Sequence, residues 1–283
     1  MAQFTNQARL AYNNSVTNSN IAVGEILEVL SATKTAVRNA YEQNDTVTYI
    51  ISIVNAGPTG LSNLSVSDDL GAYSFGTGTL TPLTYVDGTV RYYIDGILQP
   101  APAVTAGPPL VISGLSVPAG GNVILVYEAE INQFAPLDVE AEITNEAVIS
   151  GGGITPLTVT ETISALGEPL LSITKSVSPV PVTENGRLTY TFVIQNAGNA
   201  PADVSSAAVI TDLFDPILTG LAVTFNGVPW TEGPNYAYDE LTGLFTTVAG
   251  NITVPAATFT QDIATGVWVV NPGVSTLVIS GTV

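Results

Sequence analysis

Histidine and cysteine are absent from this 283-residue chain, and lysine occurs only at Lys34 and Lys175. The first two absences exclude Ser-His and Cys-His nucleophile systems, ordinary zinc sites and disulfides. Basic residues are scarce as well: six Lys and Arg stand against 24 Asp and Glu, a net charge of −18. Such a surface repels phosphate backbones, and no basic stripe interrupts it, so nucleic acid is not expected as a partner. No apolar run is long enough to span a bilayer, and membrane insertion is not expected either. The start, Met1-Ala2-Gln3-Phe4, has neither a basic n-region nor an apolar h-region; a signal has been removed or export uses none. No Gly-rich loop ends in Gly-Lys-Ser/Thr, so the phosphate-cradling loop is missing. No Asp-x-Asp-x-Asp-Gly loop occurs, which leaves only weak calcium binding by scattered loop carboxylates. The 24 acidic residues offer no carboxylate pair singled out by spacing for glycoside hydrolysis. The chain reads as non-enzymatic and without a cofactor.

What is present favours strands. The sequence is 46% hydrophobic but only 7% aromatic, with 26 Gly, 18 Pro and many Val, Thr and Ile. Its length suits about two domains. Thr46 to Val54 alternates with period two and runs into Asn55-Ala56-Gly57-Pro58. Leu61 to Ser67, Leu110 to Leu115, Val123 to Ile131, Ile143 to Ser150 and Thr158 to Ala165 read as further strands. Asp95-Gly96 between Val90–Ile94 and Ile97-Leu98 predicts a type I′ hairpin, and Pro100 to Pro109 reads as loop. The same order then recurs. Lys175 and Asn196-Ala197-Gly198 lie 141 residues after Lys34 and Asn55-Ala56-Gly57. Leu188 to Gln195 matches Val47 to Val54, and Val209 to Asp212 matches Ser65 to Asp68. The Asn226-Gly227 hairpin matches Asp95-Gly96, and Thr276 to Val283 matches Val123 to Glu130.

A third correspondence joins the two ends. Phe4-Thr5-Asn6-Gln7-Ala8, a polar turn and Val16 to Val23 resemble Ile143-Thr144-Asn145-Glu146-Ala147, a Gly-rich turn and Thr158 to Ala165. Both passages lead through Gly-Glu to a Thr-Lys pair. The N-terminus therefore reads as the closing strands of a repeat, and the second repeat reads as lacking those strands. The expected organisation is a donor segment at 1–24, a first β-sandwich at 25–167 and a second, incomplete one at 168–283.

Lys34, Val47-Thr48-Tyr49, Asn55-Ala56-Gly57, Asp68 and Thr144-Asn145-Glu146-Ala147, with Lys175, Leu188-Thr189-Tyr190, Asn196-Ala197-Gly198 and Asp212, carry a further likeness. This pattern resembles the bacterial surface-protein repeat called domain of unknown function eleven. The resemblance implies an all-β fold of tandem immunoglobulin-like sandwiches, an extracellular place on a bacterial cell or spore surface, and a structural role. Phe4, Asn6, Ala8, Leu10, Val16, Ile21 and Val23 are the expected donor residues, with Leu277, Ile279 and Val283 as the acceptor edge. The short links at Gly24-Glu25-Ile26 and Gly167-Glu168-Pro169 favour donation to a neighbouring copy, giving a head-to-tail homopolymer.

Two chemical possibilities sit on this frame. Lys34 with Asp68 and Asn145, and Lys175 with Asp212 and a donated Asn6, supply the amine, acid and amide of an isopeptide bond. The plainer reading places both lysines at strand ends with the asparagines bonded to backbone. Trp230, Tyr236 and Tyr238 could stack on a glycan, which would suit a monomeric adhesin; packing of a turn is the alternative use of those rings.

Overall fold

The computed structural model describes residues 2–26 and 28–283; Met1 and Leu27, which fall in the expected segments 1–24 and 25–167, lie outside the described residues. In chain order, the N-terminal strands are β1 (Ala2–Asn6), β2 (Arg9–Tyr12), β3 (Ser15–Asn18) and β4 (Ala22–Ile26). There follow β5 (Leu30–Ala36), β6 (Ala40–Tyr41), β7 (Thr46–Asn55), β8 (Leu61–Asp68), β9 (Tyr73–Phe75), β10 (Gly78–Leu80) and β11 (Leu83–Tyr85). Next are β12 (Arg91–Ile94), β13 (Ile97–Leu98), β14 (Ala103–Thr105), β15 (Leu110–Val117), β16 (Asn122–Ile131), β17 (Glu142–Gly151) and β18 (Leu157–Ala165). The second half holds β19 (Leu171–Ser178), β20 (Arg187–Asn196), β21 (Thr211–Leu213), β22 (Thr219–Phe225) and β23 (Val228–Trp230). It ends with β24 (Tyr236–Asp239), β25 (Leu244–Thr247), β26 (Thr258–Gln261), β27 (Trp268–Asn271) and β28 (Gly273–Thr282). A single 3₁₀ turn at Val204–Ser206 is the only helical element among the described residues, and the chain is all-β.

The chain divides into two compact units, one of residues 1–39, 44–132 and 143–163, the other of 40–43, 133–142 and 164–283. In the first, one sheet runs β13-β12-β16-β7-β5 and the other β14-β15-β8-β17-β18. β7 shows why: Val47, Tyr49, Ile51 and Ile53 recur every second residue, so one face of the strand is fully buried. The Asp95-Gly96 turn has positive φ at both residues, 47° and 80°, as a type I′ hairpin requires. The buried Asn55 ties the following loop: its amide donates to Thr59 O at 2.8 Å and Pro118 O at 3.0 Å and accepts from the Gly57 N–H at 2.9 Å.

The second unit repeats half of this plan in full. Its sheet β19-β20-β28-β22-β23 has the order of β5-β7-β16-β12-β13. Asn196 repeats Asn55, donating to Ala200 O and Pro255 O and accepting from the N–H groups of Gly198 and Leu170. The other sheet is shorter. It contains β21-β25-β24, in the places of β8-β15-β14, and no strand stands where β17 and β18 would be among the described residues. Phe214, Phe245, Tyr236, Tyr190 and Leu277 from both sheets share one core.

Two expectations are corrected here. β28 is not an acceptor edge: it lies between β20 and β22, with Leu277 and Ile279 fully buried and Val283 just past its end. The loop expected over Pro100 to Pro109 contains the short strand β14, which pairs with β15.

The N-terminal segment is a two-stranded ribbon. β1 pairs with β4 and β2 with β3, joined by the Ser19 N–H on Ala8 O at 2.9 Å, and turned at Asn13-Asn14 with φ of 42° and 61°. Neither pair joins a larger sheet. The ring of Phe4 lies directly over Gly24, the residue opposite, where any side chain would collide with it.

Candidate functional site

Two lysine-centred sites occupy equivalent places in the two units, one closed and one open. The closed site begins with the alternation of β5, which turns Lys34 inward. There its ammonium donates to Asp68 Oδ2 at 2.7 Å and to the backbone oxygen of Asn145 at 3.1 Å, and stands 5.1 Å from the centre of the Tyr49 ring. Asp68, at the end of β8, also accepts from the Tyr127 hydroxyl and, through Oδ1, from the Leu70 N–H. Tyr127, from β16, stacks on Tyr49 at 5.5 Å. The Asn145 amide nitrogen donates to the Tyr127 oxygen at 3.4 Å, while Asn145 Oδ1 is buried without a partner among the described residues. Four strands from both sheets thus converge on one polar cluster.

Burial sets its electrostatics. Loss of solvent lowers the proton affinity of Lys34 against the opposing pull of Asp68. Burial also pushes the Tyr127 phenol well above its ordinary range, and the neighbouring Asp68 adds to the shift. The expected trio Lys34, Asp68 and Asn145 is therefore brought together, and neither lysine sits at a strand end. Tyr127 is the member the sequence did not reveal, since a tyrosine in an alternating strand looks like ordinary core.

In the open site, Lys175 on β19 pairs with Asp212 on β21, its ammonium 4.5 Å from the Tyr190 ring centre and 5.4 Å from that of Phe214. The Lys175 side chain is 39% exposed where that of Lys34 is 0% exposed. Asn6, its expected amide, lies in the N-terminal ribbon. Ile279 faces Tyr190 across the ladder, where Tyr127 faces Tyr49 in the first unit.

The exposure has a clear origin. β8 is flanked by β15 and β17, whereas β21 pairs with β25 alone among the described residues. Every residue of β19 is exposed. The face of β19 that carries Lys175 is apolar on either side of it: Ile173 is 51% exposed and Val177 39%. At the first-unit counterparts of Ile173 and Val177, Ala32 and Ala36 make room for strands already in place.

The other aromatic candidates are packed. Tyr236 is buried and stacks on Phe245, Trp230 stacks on Phe225 at 4.9 Å, and Tyr238 donates its hydroxyl to Leu218 O. No cluster of three acidic side chains that could hold a metal occurs among the described residues.

No family model and no curated protein matches this sequence. Among solved structures, the chain is similar to BcpA, the major pilin subunit of Bacillus cereus, at 10% identity and a TM-score of 0.37, over 96% of this chain and 73% of that one. It is similar to the pilus backbone RrgB of Streptococcus pneumoniae at 15% identity and a TM-score of 0.35, over 86% of this chain and 55% of that one. Half of the chain is similar to the collagen-binding subdomain of the Enterococcus faecalis surface protein ACE, over 99% of that subdomain, at 10% identity and a TM-score of 0.32.

Proposed function

We propose that this chain is a structural subunit of an extracellular filament on a bacterial cell or spore surface, built head-to-tail by donation of its N-terminal ribbon. The ribbon of one copy fills the open side of the second sandwich of the next, against β21 and over β19. The observation that carries this reading is the match between what the ribbon exposes and what the first unit buries. Ile143, Ala147 and Ile149 of β17 are fully or nearly fully buried. Phe4, Ala8 and Leu10 hold the corresponding places in the ribbon and are exposed.

A lone two-stranded ribbon is marginal in water, so one carrying Phe4, Leu10, Tyr12, Val16, Ile21 and Val23 on exposed positions gains from docking. A strand paired on one side only among the described residues, such as β21, is a template for another strand. A short tether favours the groove of a neighbouring copy. The ribbon ends at Ile26 and β5 starts at Leu30, a reach of at most about 14 Å. A contact of this kind is heterologous and does not close on itself, so it propagates.

The test is sedimentation of the full chain mixed with increasing amounts of a chain lacking residues 2–26. The truncated chain keeps its acceptor but cannot donate, so it should end each filament it joins and shorten the population in proportion to its share. Unchanged filament length, or filaments from the truncated chain alone, would refute donation.

A further inference from the structure

We propose that Lys34 and Asn145 become joined by an isopeptide bond inside the first sandwich, with Asp68 and Tyr127 moving the protons. This inference concerns the closed site and is independent of the filament reading.

The site contains a conflict that the reaction removes. A full positive charge and a carboxylate are held out of water, with Lys34 and Asp68 side chains 0% and 1% exposed. Such pairs repay their desolvation only when every neighbouring lone pair is used. Here one is not: Asn145 Oδ1 is buried with no donor. The Lys34 nitrogen is already seated on Asn145, 3.1 Å from its backbone oxygen, and 2.7 Å from the carboxylate that can take its proton.

The steps balance without any outside reagent. The Lys34 ammonium passes one proton to Asp68, leaving a neutral amine, and the low proton affinity that burial gives this lysine favours the transfer. The amine attacks Cγ of Asn145, and the carbonyl electrons move to Oδ1, which the protonated Asp68 can meet. Tyr127 contacts both Asp68 and the Asn145 nitrogen and so offers the path for a proton to the leaving group. The Cγ–Nδ2 bond breaks and ammonia departs. The products are a secondary amide, a neutral Asp68 carboxylic acid and free ammonia, so charge and atoms are conserved. Two buried charges disappear, and the acid can donate to the oxygen that lacked a partner.

The second site is a built-in contrast. Lys175 and Asp212 are more open, an isoleucine stands in place of the phenol, and the amide would have to come from Asn6 of another copy.

Intact mass of the purified full chain decides the matter, because the bond removes one ammonia, about 17 Da. The expected result is that loss, with a peptide linking Lys34 to Asn145 and no tryptic cleavage after Lys34. Lys34→Met and Asp68→Asn chains should show the unreduced mass of their sequences. An unreduced mass in the parent chain would overturn the proposal whatever the variants do. So would a loss that persists in Lys34→Met, which would mark cyclisation of an asparagine on its own backbone instead.

Discussion

Replacing Leu10 by alanine should separate assembly from folding. Its counterpart Ile149 is 0% exposed in the first sandwich, whereas Leu10 is 61% exposed in the ribbon. Full burial of such a side chain is worth about 1.5–3 kcal/mol, and its truncation in a formed core costs about 2–5 kcal/mol. Since roughly three-fifths of Leu10 remains to be buried on docking, the interface should lose about 2 kcal/mol. At 1.4 kcal/mol per tenfold, the concentration needed for assembly should rise roughly 30-fold. The isolated chain should notice almost nothing, because an exposed substitution usually changes stability by less than about 0.5 kcal/mol. Light scattering against concentration reads the first quantity, and urea unfolding the second. A control at Leu241, 89% exposed on a turn of the second unit, should alter neither. Equal assembly by the Leu10→Ala chain, or clear destabilisation of its monomer, would refute the reasoning.

Ile173→Glu places a charge in the proposed acceptor groove, and should abolish assembly while leaving monomer unfolding within about 0.5 kcal/mol. Asn55→Ala and Asn196→Ala each remove a buried side chain that holds its loop by several hydrogen bonds, and each should destabilise its own unit by about 3 kcal/mol. Both tryptophans, Trp230 and Trp268, belong to the second unit, so indole fluorescence should report the Asn196 change and miss the Asn55 one. High pH should also weaken the fold. Tyr127 and Tyr41 have raised proton affinities in the folded chain, so above pH ~10 the unfolded chain loses protons that the folded one keeps. Stability then falls by about 1.4 kcal/mol per pH unit for each such tyrosine, measured as urea midpoint against pH. A flat alkaline profile would count against their burial.

Much of the fold was legible because it rests on local rules. The alternation of Val47, Tyr49, Ile51 and Ile53, the Asp95-Gly96 and Asn226-Gly227 turns and the twin Asn-Ala-Gly loops each specify their own structure within a few residues. Pairing is different. β28 is the strand nearest the end of the chain, which made it look like an edge, yet its neighbours β20 and β22 come from far earlier in the sequence. The open edge belongs to β21, three residues long and easily overlooked in a Pro- and Ala-rich passage. β14 was hidden for a similar reason, since three residues among prolines and glycines carry no period of their own. The lysine sites were half visible: Lys34, Asp68 and Asn145 stand out by rarity and repetition. Tyr127 does not, because nothing in an alternating strand distinguishes a packed phenol from one bonded to a carboxylate.

The central claim concerns where residues 2–26 lie in the assembled state, and a cryo-electron microscopy reconstruction of assemblies of the full chain shows this directly. The account predicts density for the ribbon beside β21 and over β19 of a different copy, with Phe4 and Leu10 enclosed. A ribbon seated in its own second sandwich, or left in solvent beside an empty groove, would contradict it.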